Sequence, residues 1–144
     1  MESIIRSINH VARLATLYRE KELKKYGLGP MHHTYILNIC RNPGISQDEL
    51  AKIIFVNKSN VARQLVILED RGYVFRKSSE QDARKMLIYP TEKATEMFGV
   101  ISDILLKWNE QVLTGFSLEE QQKLIKNLEK LKENSQNLLE KEED

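Results

Sequence analysis

Ser46-Gln47-Asp48-Glu49-Leu50-Ala51-Lys52-Ile53-Ile54-Phe55-Val56-Asn57-Lys58-Ser59-Asn60-Val61-Ala62-Arg63-Gln64-Leu65 is the stretch that decides the fold. Ser46 followed by Glu49 is a capping box, in which the serine hydroxyl and the glutamate carboxylate satisfy orphan backbone N–H groups at a helix start. The helix it opens is brief, Gln47 to about Ile54. Asn57 can cap a second helix running to about Arg71, where Gly72 closes it. Val61, Leu65 and Leu68 form its apolar face. At about 100° per residue, Ser59, Asn60, Arg63 and Ile67 fall on the opposite side. Two short helices joined by a tight link, the second with a polar and basic outer face, predict a helix-turn-helix.

Downstream of Gly72 the texture changes. Tyr73-Val74-Phe75-Arg76 and Met86-Leu87-Ile88-Tyr89 are short aromatic or β-branched runs flanking the polar segment 77–85. They predict a β-hairpin, and a hairpin directly after a helix-turn-helix is the order of a winged helix. Pro90 ends it and Thr91 caps a long helix, whose stripe is Ala94, Phe98, Ile101, Leu105, Trp108 and Val112. Gly115 breaks that helix, and Ser117 with Glu120 forms a second capping box. The last helix carries Leu124, Leu128, Leu131, Ser135 and Leu138 at the same four-three spacing. Upstream, Met31 to Arg41 reads as an apolar helix stopped by Asn42-Pro43-Gly44. Residues 3 to about 26 form a longer one, striped by Ile4, Ile8, Val11, Ala15 and Tyr18.

The expected fold is mainly α, an α+β winged helix-turn-helix with long terminal helices forming a dimerisation platform. Residues 31–90 would be the DNA-binding region, and 1–30 with 91–144 the dimerisation region. The middle segment is too small to bury three long stripes by itself, so pairing with a second copy is expected. A two-fold dimer would set two recognition helices roughly 34 Å apart, one turn of DNA.

Charge is polarised although the formal net is only +1. From Lys52 to Lys85 eight basic residues face four acidic ones, a net of +4; from Ser117 to Asp144 five lysines face eight acids, a net of −3. A single cysteine excludes an intramolecular disulfide framework. Early charges such as Arg6, Arg13 and Arg19 interrupt any signal-peptide core, and no apolar run reaches membrane-span length. A cytoplasmic protein is expected. Neither a phosphate-cradling glycine loop, a nucleophile–base arrangement nor metal-ligand spacing is present, which argues against an enzyme, a metal site or a cofactor.

Amides and hydroxyls of Ser59 and Asn60 can bond base edges, and Arg63 can grip guanine bidentately. Lys58 lies nearer the flank and suits a phosphate. Arg84, at the hairpin tip, suits the narrow minor groove, and Asp82 on the same side of an extended segment would hold its guanidinium. Gln64 and Lys85 complete the expected DNA-binding set.

The run Asn57 to Leu65, the stretch Leu68-Glu69-Asp70-Arg71-Gly72-Tyr73-Val74, Asp82-Ala83-Arg84, Pro90-Thr91-Glu92-Lys93-Ala94 and Pro43 to Ala51 resemble the MarR family of bacterial regulators over nearly the whole chain. The resemblance implies a winged-helix homodimer that binds palindromic operators, usually as a repressor, and is released by a small molecule or oxidant. It places Lys58, Ser59, Asn60 and Arg63 in the major groove and Arg84 in the minor groove. Ile67 departs from it, since relatives often carry a basic or polar residue there.

For the effector, His10, Arg13, Tyr18, Tyr26, Met31 and His32 are candidate linings for an aromatic or amphipathic anion. Cys40, among Ile36, Leu37 and Ile39, is expected to be a buried thiol of low reactivity. His32 and His33 point about 100° apart and cannot readily share one ion. The alternatives are a redox- or metal-responsive regulator of the same fold, and a protein-interaction module without DNA binding.

Overall fold

The computed structural model describes residues 3–141. Glu142, Glu143 and Asp144, counted above in the acidic end, lie outside the described residues. The chain divides into two compact units, Met1–Leu106 and Lys107–Asp144.

In the first unit, α1 spans Ile4–Leu23 and a 3₁₀ turn, Lys24–Tyr26, continues it to Gly27, whose φ of 68° closes the end. There follow α2 (His32–Arg41), β1 (Ile45–Ser46), α3 (Gln47–Ile54), α4 (Lys58–Asp70), β2 (Val74–Ser78), β3 (Met86–Pro90) and α5 (Glu92–Val112), which runs on into the second unit. Both caps expected within the helix-turn-helix form. Ser46 Oγ accepts from Glu49 N at 3.1 Å, and Asn57 Oδ1 accepts from Asn60 N at 2.8 Å. The expectation of two strands was short by one. β1 pairs antiparallel with β3, giving the sheet order β1-β3-β2. A two-residue strand has no periodicity of its own to read, and its pairing partner specifies it.

Val61, Leu65 and Leu68 of α4 are completely buried, together with Tyr35, Ile36 and Ile39 of α2, Leu50 of α3 and Ile88 of the central strand. Ala94, Met97, Ile101 and Ile104 of α5 join them, so the first half of the α5 stripe packs on the core of its own unit. Burying these side chains contributes about 1.5–3 kcal/mol for each large aliphatic one. Ile67 is half-buried rather than outward-facing. The exposed aliphatic residue on α4 is Val66, 53% accessible, because the buried face is offset toward Gln64 and Ile67.

In the second unit, α6 spans Leu118–Glu140 behind a complete Ser117–Glu120 capping box. No helix among the described residues is long and apolar enough to cross a membrane.

Candidate DNA-binding surface

α4 offers an exposed first turn because its three core leucine and valine positions fix which side turns away. Lys58, Ser59 and Arg63 are exposed, and Asn60 is half-buried. Ser59 donates its hydroxyl to the capping Asn57 Oδ1 at 2.9 Å, which orders the turn that would meet DNA. Gln64 differs from the others. It is half-buried, and its Oε1 lies 2.8 Å from Nε2 of His32.

The wing is the hairpin β2–β3, in register from Val74↔Pro90 to Ser78↔Met86. Phe75 and Tyr89 stack at 5.3 Å, with Lys77 above both rings, and Arg76 pairs with Glu69 of α4 at 3.1 Å. These contacts stiffen the base of the hairpin and tie it to α4. At the tip, residues 82–85 make a turn closed by Lys85 N donating to Asp82 O at 3.0 Å. This corrects the expectation for Asp82. Its Oδ1 accepts the backbone N–H of Arg84 at 3.0 Å, so it shapes the turn that presents Arg84, as short acidic side chains do in Asx turns. Asp82, Ala83 and Arg84 are exposed, and the segment is not extended.

Two basic side chains of this face carry acidic neighbours from α3. Lys58 Nζ is 3.5 Å from Asp48 Oδ2, and Lys85 Nζ is 3.7 Å from Glu49 Oε1. Sequence reasoning missed both pairs, since the partners are distant in the chain and no local spacing signals them. Being exposed, each pair adds little stability.

The expected effector linings do not form one site. Met31 and His32 line a cavity of about 240 Å³ with Gly29, Pro30, Tyr35, Val56, Asn60 and Gln64. His10 and Arg13 are exposed on α1 and do not line it. Tyr26 is half-buried, and its carbonyl accepts the Tyr73 hydroxyl at 2.8 Å. Cys40 is a half-buried free thiol packed on the core, pushed up in pKa by burial. Among the described residues no group of three or more His, Cys, Asp or Glu could hold a metal ion.

The sequence profile of the MarR family matches residues 26–85. The transcriptional regulator BilQ of Clostridioides difficile is 30% identical over 132 residues, 92% of this chain and 89% of that protein. The chain belongs to the MarR family. It is accordingly a transcriptional regulator of a DNA-binding class and not an enzyme. A MarR protein from Peptoclostridium difficile superposes with a TM-score of 0.92 at 29% identity, covering 95% of this chain and 90% of that one. A putative MarR-family regulator from Listeria monocytogenes, solved with a 26mer DNA, superposes at 0.88 with 30% identity, covering 93% and 89%.

Proposed function

We propose that this MarR-family chain is a repressor that binds a palindromic operator as a homodimer and is released by a small-molecule effector. Lys58, Ser59, Asn60 and Arg63, with Gln64 on the flank, are assigned to the major groove. Arg84 is assigned to the minor groove, with Lys85 on the backbone and Asp82 shaping the turn. The observation that carries the reading is the pairing of two separate cationic elements, the exposed first turns of α4 and the exposed Arg84 turn, in a fold shared with a DNA-bound relative. Residues 31–90 are the proposed reading region, and 1–30 with 91–144 the proposed platform.

Homodimerisation is supported by apolar residues left uncovered on both terminal helices: Ile4, Ile8 and Val11 on α1, and Leu124, Leu128 and Leu138 on α6. Patches of this kind mark association surfaces. The cavity beside Met31 and His32, apolar with a few amide and imidazole groups, suits an aromatic or amphipathic anion.

Fluorescence anisotropy with the DNA upstream of the chain's own coding sequence tests the reading. Arg84→Ala and Arg63→Ala are each expected to cost ~1–3 kcal/mol in binding, with steep salt dependence for the wild type. Equal binding by all three proteins, or no dependence on salt, would overturn it.

A further inference from the structure

His32 is 5% exposed, and both of its ring nitrogens are engaged. Nδ1 lies 2.9 Å from the Gly29 amide nitrogen, and Nε2 lies 2.8 Å from Gln64 Oε1. A backbone N–H can only donate, so Nδ1 holds a lone pair and the single ring proton sits on Nε2, donated to Gln64. The contact thus selects one protonation state. A second proton would set two donors face to face at Gly29 and release the α1–α2 connection that His32 holds against α4.

We propose that His32 is a positioning residue for DNA binding, clamping α4 to the α1–α2 connection only as the neutral, Nε2-protonated imidazole, so that acidification weakens the grip on DNA. The proposal rests on the DNA-binding reading above.

The surroundings favour the neutral ring. Arg71, at the corner after α4, opposes a second positive charge. Tyr35 of α2 meets the ring edge-on at 6.3 Å. Asn60 and Gln64 from α4, Pro30 and Met31 from the connection, and Val56 from the turn before α4 line the same cavity without charge. Its lining contains no carboxylate to stabilise an imidazolium. His33 points elsewhere, bonding the Pro30 carbonyl at 2.9 Å and facing Arg19. Burial is the largest influence on His32 and lowers its pKa; the Gln64 bond raises it, and Arg71 lowers it again. With the folded value below the ordinary one near 6.5, the clamp is complete above about pH 6.5 and is lost as pH falls through the folded value. Release leaves the far end of α4 in place, because Arg71 donates to the Gly27 carbonyl and Tyr73 to the Tyr26 carbonyl. Val61 and Leu65 stay buried and Nε2–H still donates to Gln64, so α4 remains on the core. What its first turns lose is the tie through His32 to the connection at Gly29, while the domain stays folded.

Anisotropy titrations at constant ionic strength, from about pH 8 to about pH 5.5, compare wild type with His32→Gln, Gln64→Leu and His33→Gln on the upstream duplex. Wild type and His33→Gln are expected to weaken by up to about tenfold per pH unit below the His32 pKa, the limit for one linked proton. His32→Gln and Gln64→Leu are expected to lose that slope. Imidazole ¹⁵N shifts of the wild type give a readout that packing alone would not move: the proton on Nε2 when neutral, and a His32 pKa that falls further when DNA is bound, as reciprocity requires. These shifts decide the matter even where a variant misfolds. A slope retained by both variants, a proton on Nδ1, or a His32 pKa indifferent to DNA would overturn the proposal. Wild type that binds no DNA at any pH would instead overturn the DNA-binding reading, with the tautomer still standing or falling on its own spectrum.

Discussion

Phe55 occupies the left-handed region, with φ 56°, at the C-cap of α3, and it is the one non-glycine residue with positive φ among those described. The residue is 63% exposed, so little packing offsets the clash of Cβ with the backbone. An L-residue held there costs roughly 1–2 kcal/mol, part of which glycine returns as greater freedom in the unfolded chain. Phe55→Gly is therefore expected to raise unfolding stability by about 0.5–1 kcal/mol, checked by urea denaturation. The sequence shows only a phenylalanine between Ile54 and Val56. Only the backbone reveals that a turn demanding positive φ has been filled by a bulky residue. Asp82 shows the same limit from the other side. Its partnership with Arg84 was legible from spacing, but whether the carboxylate takes the guanidinium or the amide depends on a turn that spacing does not encode.

Among the elements, Ser46 serves two structures at once. It is the N-cap of α3 and half of β1, where it faces Leu87 of β3. Ser46→Ala keeps the strand pairing, which is carried by the backbone, and removes the cap. The expected cost is about 1 kcal/mol, with α3 amides losing hydrogen-exchange protection before those of β3. If β3 amides lost protection first, the serine's main contribution would be to the sheet. α3, α4 and α6 were legible because each announces its start: Ser46, Asn57 and Ser117 cap as their sequences predict. The first turns of the reading helix followed from its apolar triad for the same reason. What escaped was everything set by long-range partners: β1, the acidic neighbours of Lys58 and Lys85, and the His32–Gln64 contact. None of these has a local period or cap to betray it.

For the whole molecule, the uncovered stripes make a definite demand. Val11 is 61% exposed on α1 and touches no core that its loss would disturb. Val11→Glu should leave the fold and its thermal unfolding within about 0.5 kcal/mol in the isolated chain, as surface changes usually do. It should shift light scattering at micromolar concentration from dimer toward monomer, because a charge there would be buried unpaired at the interface. An unchanged dimer mass would remove α1 from the proposed platform.

The carboxylates beside Lys58 and Lys85 bear on how such a protein trades ions with its surroundings. A lysine that meets a phosphate drives a condensed cation off the DNA. Here, however, the same movement strips Asp48 or Glu49 of its partner, and the freed carboxylate draws a cation back from solution. The free protein carries its own counter-ions. Its grip on DNA should therefore vary less with salt than a count of its basic residues suggests, leaving Arg63 and Arg84, which form no ion pair among the described residues, to set most of the ionic sensitivity of the complex.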